Sequence, residues 1–316
     1  MKWFQIKERS AGKKRLLISW YIYKLLGKKL VKVIAYCVAL ITYITNKDLR
    51  CYTGQYFKIL ENYTQNIKYK PSFFNGFRNV LSYAYALVDK MEVFTNRYDA
   101  KKILFARNED KEKLFKDLSS GNGVFFICNH IGNVEVLRAL FRNPEINVKP
   151  NISIFLQKKQ CEIFNNFINN ISEDFKQIKI YPIEEIDLST AFEIKDNLNA
   201  GEIVFMAGDR MPVNDTQKRL KVSILGKDVL IPQGAFKFAK ILDTNVYFIS
   251  CLENNDRYDI YLEKASDCKN ITKTQEEFAS FTNDIICTAP YQFYNFYDFF
   301  YNYIILSFYI CVRIRV

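Results

Sequence analysis

The chain has 316 residues, about half of them apolar, with a formal net charge of +11, a single histidine and eight cysteines. An apolar half supplies a sizeable core, and with no linker, low-complexity stretch or internal repeat the length reads as one large domain. The positive balance suits an anionic partner such as a phospholipid surface or a phosphopantetheine-bearing carrier. Nucleic acid is the weaker candidate, because no recognised binding motif and no concentrated basic tail is present. The cysteines (37, 51, 128, 161, 251, 268, 287, 311) are scattered without a CxxC pair. One histidine and no paired cysteines argue against a zinc site or a disulfide framework, and fit a reduced, cytosol-facing chain.

Taken in order, Lys2–Lys14 is basic, and two apolar stretches follow, Leu16–Leu26 and Val33–Ile44. The second falls short of the roughly 20 residues a spanning helix needs, and no secretory cleavage pattern follows an early apolar core. Residues 1–46 therefore read as membrane-anchoring helices, a re-entrant or interfacial pair. Trp3, Trp20, Tyr21, Tyr23, Tyr36, Tyr43 and flanking lysines would lie at head-group level. The alternatives are a tilted span from Leu30 with Lys32 snorkelling, or an ordinary buried helix pair. Asn46–Leu118 reads as helices over Tyr56–Tyr63, Phe73–Val93 and Lys101–Leu118. Within it, Gly76-Phe77-Arg78-Asn79 is either scaffold or the lining of a channel for an acyl chain or head group.

Val124–Leu140 organises the rest. The apolar run Val124–Cys128 has the form of a buried strand, and the segment from Glu135 has helical character (Val136, Leu137, Ala139, Leu140). His130 then falls at the carboxyl end of a strand, the rim where ligands bind in open α/β sheets. A neutral imidazole takes protons near pH 7, and a carboxylate on its other nitrogen fixes its tautomer. Glu135, near a helix start, is placed to be that carboxylate. The plain alternative is a lone histidine satisfied in a loop. Asn133 reads as the N-cap of the Glu135 helix. Arg138 shares the face of Glu135 and either pairs with it or holds an anionic substrate group.

Beyond the His130 segment the chain alternates. Strands are expected at Ile152–Gln157, Ile178–Ile183, Ile203–Ala207, Leu220–Leu225, Val246–Leu252 and Tyr258–Glu263. Helices are expected at Lys159–Asp174, Leu188–Asn199, Gly234–Leu242 and Ile271–Cys287. This is an α/β fold with a mixed, mostly parallel central sheet flanked by helices. The mixed character is expected from a hairpin over Lys221–Ile231. Gly208-Asp209-Arg210 follows the strand Ile203–Ala207 and reaches the rim of His130 if the two strands are parallel. There Gly208 admits close backbone approach, Arg210 holds a phosphate or carbonyl oxygen, and Asp209 orients either Arg210 or His130, unless Asp209 and Arg210 are merely an ion pair. Gln233-Gly234 forms a turn into a helix whose free N–H groups suit an anion or oxyanion, or is a plain strand-to-helix turn. No GxSxG elbow, Walker A loop or GxGxxG fingerprint occurs in context.

Four stretches in order carry a resemblance. Asn129-His130, with Glu135 five residues after the histidine, resembles the His-x4-Asp/Glu motif of the lysophospholipid acyltransferase superfamily, closest to the branch of the lipid A late acyltransferases. Phe205–Pro212 resembles its GDR block, Leu225–Ala235 its FGK…PxG block, and Pro290–Phe299 its aromatic ending. Glu8-Arg9-Ser10 matches the branch's membrane-anchor entry with Ser for Gly. The departures are Arg210 where lipid A enzymes often have Gln, Gln233 where the wider superfamily has Glu, and an unmatched apolar tail, 301–316.

The resemblance implies a glycerolipid acyltransferase-like domain over 47–300 and a membrane-bound O-acyltransferase on the cytoplasmic face of the inner membrane. The catalytic pair would be His130 and Glu135. Asn133, Arg138, Gly208, Asp209, Arg210, Gln233 and Gly234 would contact substrate. The donor would be an acyl carrier protein or coenzyme A thioester, the acceptor a lipid or glycolipid, with no metal and no resident cofactor. The rival readings are a hydrolase using the same pair on water and a non-catalytic basic membrane-binding protein. Cys128 would share a sheet face with His130, but burial makes a nucleophilic thiol there improbable.

Overall fold

Long apolar runs bounded by turns build a central sheet covered on both faces. A computed structural model describes residues 13–94, 97–140, 150–162, 178–210 and 219–300. The strands are β1 (Ile103–Phe105), β2 (Val124–Gly132), β3 (Ile152–Leu156), β4 (Ile178–Pro182) and β5 (Ile203–Ala207), then β8 (Asn245–Asn254) and β9 (Arg257–Lys264). They lie in the order β1-β9-β8-β2-β5-β3-β4. All neighbours are parallel except β8 and β9, which form an antiparallel hairpin.

The expected α/β sheet, mostly parallel and flanked by helices, is therefore present, but its mixed character has another source. The predicted hairpin at 221–231 exists as β6 (Arg219–Ile224) and β7 (Lys227–Pro232), turning at Leu225 and Gly226 with φ of 49° and 66°. It forms a separate two-stranded sheet. Strand β1 interrupts the helix expected over Lys101–Leu118, leaving α4 at Asn108–Ser119.

Strand alternation splits the core. Val124 and Phe126 of β2 join Ile203, Phe205, Tyr247 and Ile249 on one face, packed with α4 and the short α5 (Leu137–Leu140). Phe125 and Ile127 join Val204, Met206 and Phe248 on the other. There they meet α6 (Leu188–Asn199), α7 (Gly234–Leu242) and α8 (Ile271–Thr288). The three helices follow the ranges read from the sequence to within a residue. The helix expected over Lys159–Asp174 is described only at 158–162.

The amino-terminal segment, α1 (Lys13–Thr45), is a pair of helices meeting at Gly27, whose φ of 72° and ψ of 171° are not helical, so the pairing of two helices read from the sequence is present. It is followed by α2 (Lys47–Thr64), capped by Asn46, and α3 (Phe73–Phe94). One side of α1 is clamped to α3: Lys28 reaches Glu92 at 2.6 Å and Asp89 at 3.1 Å. Lys32 lies 3.9 Å from Asp89 and 3.7 Å from Asp256, so it is engaged with carboxylates rather than free to snorkel. The opposite side carries Leu30, Val33, Ile34, Val38, Ile41 and Ile44, at helical spacing and 42–61% exposed. Among the described residues no helix is long and apolar enough to cross a membrane. Residues 1–12, with Trp3 and Glu8-Arg9-Ser10, and the tail 301–316 lie outside the described residues.

Candidate functional site: a histidine–aspartate pair at the sheet rim

Parallel pairing in register brings the two key strand ends together. Residues Val124–Cys128 of β2 pair with Ile203–Ala207 of β5, and the Gly208 N–H donates to the Cys128 carbonyl at 2.9 Å. His130 and Asp209, just beyond these paired stretches, emerge side by side. On the other flank the β2–β8 register shifts between Cys128 and Gly132. Such an irregularity re-aims side chains at a strand end. Asn129 turns into the core, where it accepts from Ser250 Oγ (2.7 Å) and donates to Thr282 Oγ1 (3.3 Å).

His130 is bound twice by one carboxylate. Its backbone N–H donates to Asp209 Oδ2 at 2.9 Å, and its ring Nδ1 lies 2.7 Å from Asp209 Oδ1. The carboxylate accepts, so Nδ1 carries the proton and Nε2 keeps a lone pair. Asp209 is buried, whereas 34% of the His130 side chain is exposed. Burial works to raise the Asp209 pKa, but the His130 charge and hydrogen bonds, with the Arg210 cation, outweigh it and bring it to about 2. Burial and then Arg210 hold the His130 pKa below its ordinary value, against the pull of Asp209 and Glu135. The pair is thus an ionised carboxylate and a neutral imidazole near pH 7.

The segment 290–300 locks this arrangement. The Tyr294 N–H donates to the His130 carbonyl at 3.0 Å, and Ile131 bridges Phe293. Arg210 donates from Nε to Asn295 Oδ1 and from an Nη to the Tyr294 carbonyl, both at 3.0 Å. Asn295 Nδ2 in turn lies 3.4 Å from Asp209 Oδ2. Asp209 therefore binds His130, settling the alternative left open by the sequence.

Glu135 is not the ring's partner. It forms an ion pair with Lys90 of α3, and no hydrogen bond among the described residues joins it to His130. Lys90 keeps its pKa low despite burial that works to raise it. The physical reason is local: residues Val134–Val136 form a 3-10 turn, not the start of a regular helix, and the Nδ1 position is already taken. Glu135 still acts on His130 through its charge. Asn133 stands before that turn but makes no side-chain cap. Its amide instead donates to the Ala86 carbonyl (3.1 Å) and meets the Tyr258 hydroxyl (3.4 Å), stitching the site to α3 and β9.

Arg138 lies on α5, its side chain outside the described residues, as are Met211 and Pro212. Gln233 occupies the N-cap position of α7 without a side-chain cap bond, ahead of Gly234. No hydrogen bond or ion pair among the described residues connects either to His130, Asp209 or Arg210. Cys128 lies on β2 as expected, and burial pushes its thiol well up, followed by the charges of Asp209 and Glu135. Such a thiol is a poor nucleophile. Among the described residues no cluster of His, Cys, Asp and Glu suits a metal ion.

No protein-family model matches the chain, and a search of curated proteins returns no match. The site must be read from its own geometry.

That geometry supports proton transfer. One imidazole nitrogen is held by a buried carboxylate, the other has no partner among the described residues, and the ring is partly open to solvent. Lys90 and Asn295 were not singled out in the sequence. Asn295 lies inside the aromatic block that carries part of the resemblance, whereas nothing local marks Lys90, which meets Glu135 only through tertiary packing.

Proposed function

We propose that the protein is a membrane-associated O-acyltransferase, moving a fatty acyl chain from an acyl carrier protein or coenzyme A thioester to a hydroxyl of a lipid or glycolipid. The carrying observation is the His130–Asp209 pair at the carboxyl rim of parallel strands. His130 Nε2 takes the proton of the acceptor hydroxyl as its oxygen attacks the thioester carbonyl. The tetrahedral intermediate collapses with release of the thiolate, which recovers the proton from the imidazolium. Asp209 stabilises the transient imidazolium, and no covalent acyl-enzyme is required.

Three further features support this reading. The four sequence blocks occur in the order of the resembling family, and the first, second and fourth meet at one point. Arg210, anchored by Asn295 and the Tyr294 carbonyl, places a positive charge beside the pair where a developing oxyanion or anionic head group gains from it. The exposed apolar stripe of α1 and the +11 charge suit the anionic cytoplasmic face of an inner membrane.

The test uses membranes containing the wild type or His130→Ala, given labelled acyl thioesters and a polar lipid extract, with products followed by mass spectrometry. New O-acylated lipid from the wild type, reduced by roughly 10²–10⁴-fold in the variant, is expected. Sustained release of free fatty acid without an acylated acceptor would favour the hydrolase. No product from any donor, with both proteins folded and membrane-bound, would overturn the enzymatic reading.

A further inference from the structure

A cavity lies one wall away from the histidine. This cavity, of ≈ 580 Å³, lies between α3, the β8–β9 turn and the 290–294 segment, and neither His130 nor Asp209 lines it. Tyr294 belongs to the wall between them: its N–H holds the His130 carbonyl, and it also lines the cavity.

The cavity's carboxylates are all engaged within the protein. Asp89 accepts from the Tyr258 hydroxyl at 3.0 Å and faces Lys28 at 3.1 Å. Asp259 accepts from Asn254 at 2.6 Å and pairs with Arg257 at 3.1 Å. Glu253 accepts the Asp256 N–H at 3.0 Å. The cations at the end nearest residues 67–78 are placed differently. The Arg78 guanidinium stacks 4.0 Å from the Tyr291 ring centre, and Lys68 Nζ lies 5.9 Å from that of Tyr69. Among the described residues no carboxylate lies within ion-pair distance of either. A guanidinium lying on a ring is held in place while its in-plane N–H donors point away, a geometry that suits phosphate.

This end is also built in advance. Asn75 Nδ2 donates to the Lys68 and Lys70 carbonyls, each at 2.9 Å, and its Oδ1 accepts the Tyr291 hydroxyl at 2.9 Å. The buried Asn79 donates to the Tyr291 and Phe293 carbonyls at 2.8 and 3.0 Å. Ile67, beside Lys68, and Phe74, one helical turn before Arg78, are 75% and 79% exposed, so apolar side chains neighbour the two cations.

We propose that this cavity is an anion site that takes a phosphate group, with Arg78 and Lys68 as its donors and Tyr69 and Tyr291 as its aromatic floor. The phosphate belongs either to a lipid head group or to a small soluble compound. The inference does not depend on acyl transfer, and binding without a donor tests it separately.

Calorimetric titration of the full chain in a neutral detergent would use inorganic phosphate, glycerol 3-phosphate and dioctanoyl phosphatidic acid, with dioctanoylglycerol as the uncharged control. Saturable binding of the phosphate-bearing compounds, weakened tenfold or more in the Arg78→Gln/Lys68→Gln variant and unchanged in Lys47→Gln, is expected. Preference for phosphatidic acid over glycerol 3-phosphate would assign the site to a lipid head group, and equal affinity to the soluble compound. No saturable binding, equal binding of dioctanoylglycerol, or an equal loss in Lys47→Gln would overturn the proposal. So would loss in His130→Ala with retention in the double variant, which would put the anion at the histidine.

Discussion

At the scale of single residues, the state of His130 is decided by opposed neighbours. Asp209 and Glu135 favour its charged form, burial and Arg210 disfavour it, and the second pair wins. Activity that needs a neutral base should then keep its acid limb below about pH 6.5, the ordinary histidine value. Removing the Arg210 cation removes one cause of the lowering, so Arg210→Gln should move that limb to higher pH. A pH–rate profile of the two proteins checks the sign, and an unchanged or lowered limb would show that Arg210 does not act on the imidazole. The sequence made His130 legible because it is unique and ends an apolar run. Its partner was less legible. Glu135 is near in sequence, whereas Asp209 is near only because β2 and β5 pair in parallel, which no local pattern encodes.

At the scale of elements, the end of β2 depends on one glycine. Gly132 has φ +71°, and a Cβ there would run into the Cys251 carbonyl oxygen of β8. The neighbouring Asn133 N–H donates to that same oxygen at 2.7 Å. Gly132→Ala combines left-handed strain with a backbone clash, so it should lower stability by about 2–4 kcal/mol. Thermal unfolding measures the loss, and a change within about 0.5 kcal/mol would mean the strand end adapts freely. Elements with strong periodicity, such as α6 and α7, were readable from sequence alone. The three-residue β1 was not, because so short a strand has no period and is set by pairing with β9. The hairpin at β6–β7 was readable from Gly226, yet its separation from the main sheet reflects packing beyond the turn.

At the scale of the whole molecule, α1 is the element that we propose meets the membrane surface. Lys28 and Lys32 hold it to α3 and the β8–β9 turn, and Tyr23 donates to Glu92 at 3.0 Å, while its other side presents the apolar stripe. Replacing Ile34 and Val38 with lysine should leave the fold intact, since both are exposed, and should weaken adhesion to vesicles at least tenfold. Sedimentation with phosphatidylglycerol-containing vesicles reads this directly; undiminished binding would remove α1 from the membrane contact. The apolar stretches were plain in the sequence, but which side packs against the protein was not, because the ion pairs that decide it join residues distant along the chain.

In the proposed mechanism the imidazole works with Asp209, and Glu135 only tunes the surrounding charge. Acyl-transfer rates of Asp209→Asn and Glu135→Gln, measured side by side with the wild type, test it most directly. Both substitutions keep side-chain size, and the first replaces the acceptor on Nδ1 with an amide that can force the wrong tautomer. Asp209→Asn should slow transfer by roughly 10²–10⁴-fold and Glu135→Gln by less than about tenfold, since Glu135 reaches the imidazole only through its charge and is the weakest of the neighbours that act on it. The opposite order, with Glu135→Gln crippled and Asp209→Asn nearly active, would contradict the mechanism.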